Sequence, residues 1–168
     1  MNVLVSDTSA LVDLERGSLL DATFRLPFEF TVPDLLYERE LKNHGGDRLL
    51  GLGLRIAALD GEGVMQALDY RRQRPALSLP DCFALALAVR GPWILLTGDA
   101  ELRRLADAER VECHGILWLM DRMLETGGAT ARLLHDGLEA IVAHPRCRLP
   151  KREVRDRLAR YEALLTNE

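Results

Sequence analysis

The sequence predicts an α/β protein with a mostly parallel sheet of four or five strands. Three observations carry that prediction. Short apolar runs alternate with helical patterns through most of the chain, the order expected of βαβ units. The stretch Leu77–Ala88 reads as a helix filled by Leu, Ala and Phe on every face, which fits an element covered on all sides. Trp93–Leu96 is short, apolar and bounded by Gly91-Pro92 and Gly98, as a fully buried parallel strand would be.

In chain order, Asn2–Ser6 is an apolar strand candidate. Asp7-Thr8-Ser9 forms a polar turn, and Ala10–Leu14 continues as a helix that stops near Gly17. Phe28–Val32 is a short extended segment. Pro33 then permits a helix with Leu35, Leu36, Tyr37 and Leu41 as apolar positions and Gly45-Gly46 as its stop. Leu54–Leu59 reads as a strand and Glu62–Arg72 as a helix, before the central helix and strand. Ala100–Glu109 is helical with Leu102, Leu105 and Ala106 inward, and Val111–Cys113 is a short strand. Helices follow from Ile116 to Gly127-Gly128, from Thr130 to His144 and from Pro150 to about Leu165. The expectation is one domain over 1–168, with a core of about 1–113 and a helical C-terminal region of about 115–168.

Composition narrows the class. The chain has 168 residues, 48% hydrophobic and 29% charged, an ordinary globular balance. A net charge of −4 argues against a broad nonspecific nucleic-acid clamp, but not against a polyanionic substrate bridged to an acidic site by metal ions. Cys82, Cys113 and Cys147 are widely spaced and lack a CxxC, which argues against a disulfide framework and a zinc knuckle. A reducing cytoplasm is the simplest compartment. Met1–Val5 has no basic leader pattern, and no apolar run approaches the roughly 20 residues of a membrane span, so neither a signal peptide nor a membrane partner is expected.

Taken singly, each acidic residue has a plain structural reading. Asp7 and Asp99 could cap the helices that follow them, Asp81 could close a capping box with Ser78, and Glu38 could be a solvated side chain. Their positions change that reading. Asp7 and Asp99 each follow a buried strand, and parallel strand ends share the edge at which ligands bind. Asp81 starts the helix that leads into the Asp99 strand, and right-handed crossovers bring such helix starts near the sheet's edge. Several carboxylates in one cleft repel each other unless some are protonated or a cation neutralises them. Hard oxygen ligands favour Mg²⁺ or Mn²⁺, which bridge phosphate oxygens and activate water.

Four stretches, in this order and spacing, resemble the PIN-domain proteins, the superfamily of VapC-like toxins: Leu4–Ser9, Val32–Glu38, Leu77–Ala88 and Leu95–Arg103. The resemblance spans most of residues 1–113. It implies a three-layer α/β/α fold, with the region from Gly115 as a helical C-terminal extension, longer than in the shortest toxins. It also implies a Mg²⁺- or Mn²⁺-dependent endoribonuclease acting on an RNA substrate. The family's acidic quartet falls on Asp7, Glu38, Asp81 and Asp99, with Asp7, Asp81 and Asp99 holding metal. Glu40 is a nearby alternative to Glu38, which fits the pattern after Val32-Pro33 better. Thr97, with Thr8 or Ser9, matches small hydroxyl positions that orient carboxylates or waters. A homodimer, and an antitoxin protein partner if the chain is a toxin, are also implied.

The remaining candidates are weighed against plainer roles. Arg103 and Arg104 follow Asp99 closely enough to reach an RNA phosphate, although Glu101 and Asp107 beside them suit a solvated helix face. Arg71, Arg72 and Arg74 either steer RNA or close a helix C-terminus. His44, His114, His135 and His144 show no ligand spacing and read as structural or exposed. Trp93 and Trp118 read as core, and Cys82 as a small buried hydrophobe. The competing class is a non-catalytic module that binds RNA or a protein. An Asp-x-Asp phosphatase fails at Ser9, an Asp-x-Ser-x-Ser metal turn fails at Leu11, and a dinucleotide-binding protein fails because no glycine-rich loop follows the first strand.

Overall fold

A computed structural model describes residues 2–167. Five parallel strands form one sheet: β1 (Asn2–Ser6), β2 (Phe28–Pro33), β3 (Arg55–Ala57), β4 (Ile94–Leu96) and β5 (Cys113–His114). Their order is β3-β2-β1-β4-β5. β1 is therefore central, with Leu4 opposite both Phe30 and Ile94. Chain order reverses direction across the sheet at the β1/β4 pair, and a crevice opens outside the carboxyl ends of strands at such a point. The helices are α1 (Thr8–Arg16), α2 (Leu20–Phe24), α3 (Asp34–Leu36), α4 (Gly46–Leu52), α5 (Gly61–Gln73), α6 (Leu79–Arg90), α7 (Ala100–Ala108), α8 (Ile116–Glu125), α9 (Ala131–Ala143) and α10 (Lys151–Thr166). The fold class is the expected three-layer α/β/α.

The chain divides into two compact units. The first comprises the described residues up to Ala10 together with Pro27–His114, and contains the whole sheet. Its centre is α6, which packs on β1, β2 and β4 and on α5 and α7. Every residue from Cys82 to Ala88 is buried, as the uniformly apolar pattern requires. Ser78 starts this helix with a reciprocal capping box to Asp81, and Pro80 sits in the first turn. At its end Gly91 must be glycine, because a Cβ there would lie 2.3 Å from the Trp93 ring.

The second unit comprises Leu11–Leu26 and the described residues from Gly115 onward. Thus the C-terminal helices share a unit with most of α1 and with α2. Gly17 and Gly137 allow close backbone approach there, since a Cβ on Gly137 would meet the Gly17 carbonyl at 2.7 Å. α9 starts on Thr130, whose hydroxyl accepts the Leu133 N–H. α10 is tied to α8 by Arg157, which donates to both carboxylate oxygens of Asp121 at 3.0 and 2.7 Å.

The structure departs from the sequence expectation at four places. Gly45-Gly46 does not simply end a helix: Gly45 is left-handed (φ 84°) and starts α4. α2 is a five-residue helix with no side-chain cap, too short for a periodic signal. The segment after α3 is a π-helical turn, Tyr37–Leu41, in which the Lys42 N–H donates to the Tyr37 carbonyl five residues back. β3 is also shorter than Leu54–Leu59, and Ile56 on this edge strand is 42% exposed. Among the described residues, no helix is long and apolar enough to cross a membrane.

Candidate active site

Asp7 sits directly after the central strand, where its backbone N–H donates to the Leu96 carbonyl of β4 at 3.1 Å. Its residue is only 2% exposed. One carboxylate oxygen, Oδ1, accepts the Ala10 N–H at 2.9 Å and so caps α1. The other, Oδ2, accepts the Thr97 hydroxyl and, at 3.2 Å, the Ser9 hydroxyl. Burial pushes the Asp7 pKa up to about 6. The hydrogen bonds from Thr97, Ala10 and Ser9 hold it down, and the charge of Asp81 raises it further.

Thr97 follows β4, is fully buried, and has every polar group engaged. Its hydroxyl oxygen also accepts the Asp99 N–H at 3.0 Å. Its N–H donates to the His114 carbonyl at 3.0 Å, and its own carbonyl accepts from Arg103 Nη2 at 3.1 Å. Asp99 then caps α7 with Oδ1, which accepts the Leu102 N–H at 2.9 Å. The strand end, the hydroxyl and the helix start are thus one hydrogen-bonded turn.

Asp81 is half-buried at the start of α6. Its Oδ2 accepts the Ser78 N–H at 3.4 Å. Burial raises its pKa, the Ser78 bonds lower it, and the charges of Glu40 and Asp99 raise it. Asp7 and Asp99 therefore cap helices and Asp81 closes a capping box, while the charge of Asp81 acts on Asp7 and that of Asp99 on Asp81. The plain and functional readings hold together at Asp99 and Asp81, where the cap engages one oxygen, whereas both oxygens of Asp7 accept hydrogen bonds.

The structure departs from expectation at the glutamate. Glu38 is exposed and paired with Lys42 at 3.0 Å. Glu40 is half-buried, and its field is the one that reaches Asp81. Positions two apart on a helical turn face opposite ways, so the turn can bring only one of them to the site. Leu36, one turn before Glu40, is fully buried, whereas Glu38 shares a face with the exposed Lys42. On that periodicity Glu40 lies on the side of Leu36 and Glu38 on the side of Lys42.

Of the supporting hydroxyls, Ser9 reaches the Asp7 carboxylate, whereas the buried Thr8 Oγ1 has no hydrogen-bond partner. Arg104 is an exposed residue that pairs with Glu101 at 2.7 Å, and Glu101 also meets Arg74 at 3.1 Å. Cys82 and Cys113 have thiol pKa values pushed up to about 11, chiefly by burial, which keeps them protonated.

In the second unit, His135, Asp136 and Glu139 bring ligand-type atoms within 4.8 Å of one another. His135 Nδ1 lies 3.1 Å from Asp136, and Nε2 lies 3.3 Å from Glu162. The hydrogen bond to Asp136 leads the causes that raise the His135 pKa. Its three carboxylate partners are exposed, so the group is a surface cluster of polar contacts that protonation of the imidazole would strengthen. A cleft at the other end of the sheet, lined by Asn2, Trp93 and Arg110, contains none of the aspartates described above.

A family model described as a PIN domain matches residues 3–163. Among solved structures, the chain is similar to a PilT N-terminus domain protein from the hyperthermophilic archaeon Sulfolobus solfataricus P2. The identity is 16%, the TM-score is 0.50, and the match covers 74% of this chain and 95% of that one, which is a likeness of fold. No curated protein matches the chain.

Proposed function

The chain belongs to the PIN-domain family, and on that premise we propose that it is a Mg²⁺- or Mn²⁺-dependent endoribonuclease working at the sheet edge between β1 and β4. The observation that carries the reading is Asp7: a buried carboxylate at the switch point, pushed up by burial and by the charge of Asp81. Asp81 in turn feels Glu40 and Asp99. Such a set is stable at neutral pH when a cation neutralises it.

The donor set fits a hard divalent ion. Asp7, Asp81, Asp99 and Glu40 offer only oxygens, and the unpartnered Thr8 Oγ1 is a further buried oxygen beside Asp7. Asp7, Asp81 and Asp99 would hold the ion, with water completing its shell, as Mg²⁺ prefers. When bound, such an ion supplies Lewis-acid stabilisation of phosphate charge and a more acidic water. The chain's own residues fix the geometry. Thr97 and Ser9 hold Asp7 Oδ2 in place, the α7 cap holds Asp99, and the capping box holds Asp81. Glu40 takes the fourth place, orienting an attacking water and accepting its proton. No side-chain nucleophile is needed.

The test is cleavage of a panel of structured and single-stranded RNAs with Mg²⁺, Mn²⁺ or EDTA, comparing the wild type with Asp99→Asn. Metal-dependent cutting that the variant loses supports the proposal. RNA or protein binding with no cutting by the wild type replaces it with the non-catalytic module. A toxin role extends the same reading. It predicts growth arrest on expression that Asp99→Asn relieves and that a co-expressed antitoxin protein suppresses.

A further inference from the structure

We propose that Arg103 is a positioning residue for the metal-binding aspartates, acting through Thr97. The proposal rests on the nuclease reading of this site. β4 ends at Leu96 and β5 at His114, so the ladder supplies a partner for the Thr97 N–H but none for its carbonyl. Arg103 Nη2 takes that role at 3.1 Å, while the Arg103 backbone N–H donates to the Asp99 carbonyl at 3.0 Å. The backbone bond is the first helical bond of α7, so the guanidinium bond is what Arg103 itself adds to the turn between Thr97 and Asp99. Gly98 lies between them with no side chain to pack.

Thr97 passes that constraint to two carboxylates. Its hydroxyl binds the Asp7 carboxylate and accepts the Asp99 N–H. Outer partners of this kind fix the orientation of ligands without touching the metal. Arg104 lies next in sequence but is engaged by Glu101, so the two arginines have separate roles. A guanidinium suits the position because its fixed planar fork holds a carbonyl with little loss of rotamer freedom.

The sign of the effect tests the assignment. If Arg103 acted only as a nearby positive charge, removing it would tighten binding of a cation. If it positions the turn, removing it weakens that binding. Mn²⁺ titration of the full chain, followed by the loss of the free-ion electron paramagnetic resonance signal, reads this without any cleavage. We expect Arg103→Met to weaken Mn²⁺ binding about tenfold, the usual scale for an outer-shell partner. Arg103→Lys, which keeps a donor and the charge, should fall between the two, and cleavage at saturating Mn²⁺ should recover with an unchanged KM for RNA.

Unchanged or tighter Mn²⁺ binding in Arg103→Met overturns the proposal. So does a raised RNA KM whose salt dependence falls by about one counterion, because that marks a direct phosphate contact. Should Arg103→Met lose its native circular dichroism, Arg103→Lys carries the test, with binding equal to wild type counting against the assignment. A wild type that binds Mn²⁺ but cuts no RNA removes the nuclease reading and leaves this result standing. A wild type that binds no Mn²⁺ removes both.

Discussion

Thr97 donates its hydroxyl to the carboxylate of Asp7 from the end of the neighbouring strand, although the two residues are 90 positions apart in sequence. The bond stabilises the charged form of a buried acid and so holds its pKa down. Thr97→Val removes that donor and also leaves the Asp99 N–H without its acceptor. The acidic limb of the pH–rate profile should therefore move to higher pH in Thr97→Val and return towards wild type in Thr97→Ser. Cleavage rates measured from about pH 5 to about pH 9 check this.

Asp7→Asn should gain stability relative to the wild type as pH rises in the absence of metal. The folded pKa of about 6 lies above the ordinary aspartate value of 3.8, so the favourable contribution is present below 3.8 and is lost as pH rises through 6. The asparagine variant does not titrate and escapes that loss. From acid to above pH 6 the stability difference should move in the variant's favour by up to about 3 kcal/mol, on top of a constant loss from the acceptor oxygen that an amide nitrogen does not replace. Urea unfolding of both proteins in EDTA across this range gives the comparison, and cleavage by the variant should be lost.

Glu40→Gln should lower the cleavage rate by about 100-fold or more, the scale of losing a group that acts on the transition state. Glu38→Gln should change it by no more than about threefold, because that side chain is exposed and pairs with Lys42. Single-turnover rates of the two variants decide which carboxylate completes the site.

Divalent ions should raise the thermal midpoint of the wild type and have little effect on Asp7→Asn or Asp99→Asn. A ligand that binds only the folded state adds stability with its logarithmic excess over Kd, about 2.7 kcal/mol at a hundredfold excess. Thermal melts with Mg²⁺, Ca²⁺ or EDTA measure this, and Ca²⁺ separates binding from cleavage.

Much of the architecture is determined by local sequence. Asn2–Ser6 and Trp93–Leu96 read as strands because buried parallel strands are continuously apolar, and the structure places β1 and β4 there. The Ser78–Asp81 capping box is visible as a four-residue pattern because both its bonds are local. The same holds for Asp99 before α7. The short α2, the glycine-containing α4 and the π-helical turn were not legible, since each lacks a strong period or cap.

Sequence alone determined where the candidate residues lie: acids after strands and at helix starts, with small hydroxyls beside them. Only the tertiary structure decided which of them meet. The strand order β3-β2-β1-β4-β5 sets β1 beside β4 and so brings Asp7 to Thr97. The π-helical turn brings Glu40 within the field of Asp81 and leaves Glu38 with Lys42 in solvent. The physical reason is range. Capping and apolar periodicity act over a few residues and are written along the chain, whereas the field at a buried carboxylate depends on strand pairing between segments far apart in sequence.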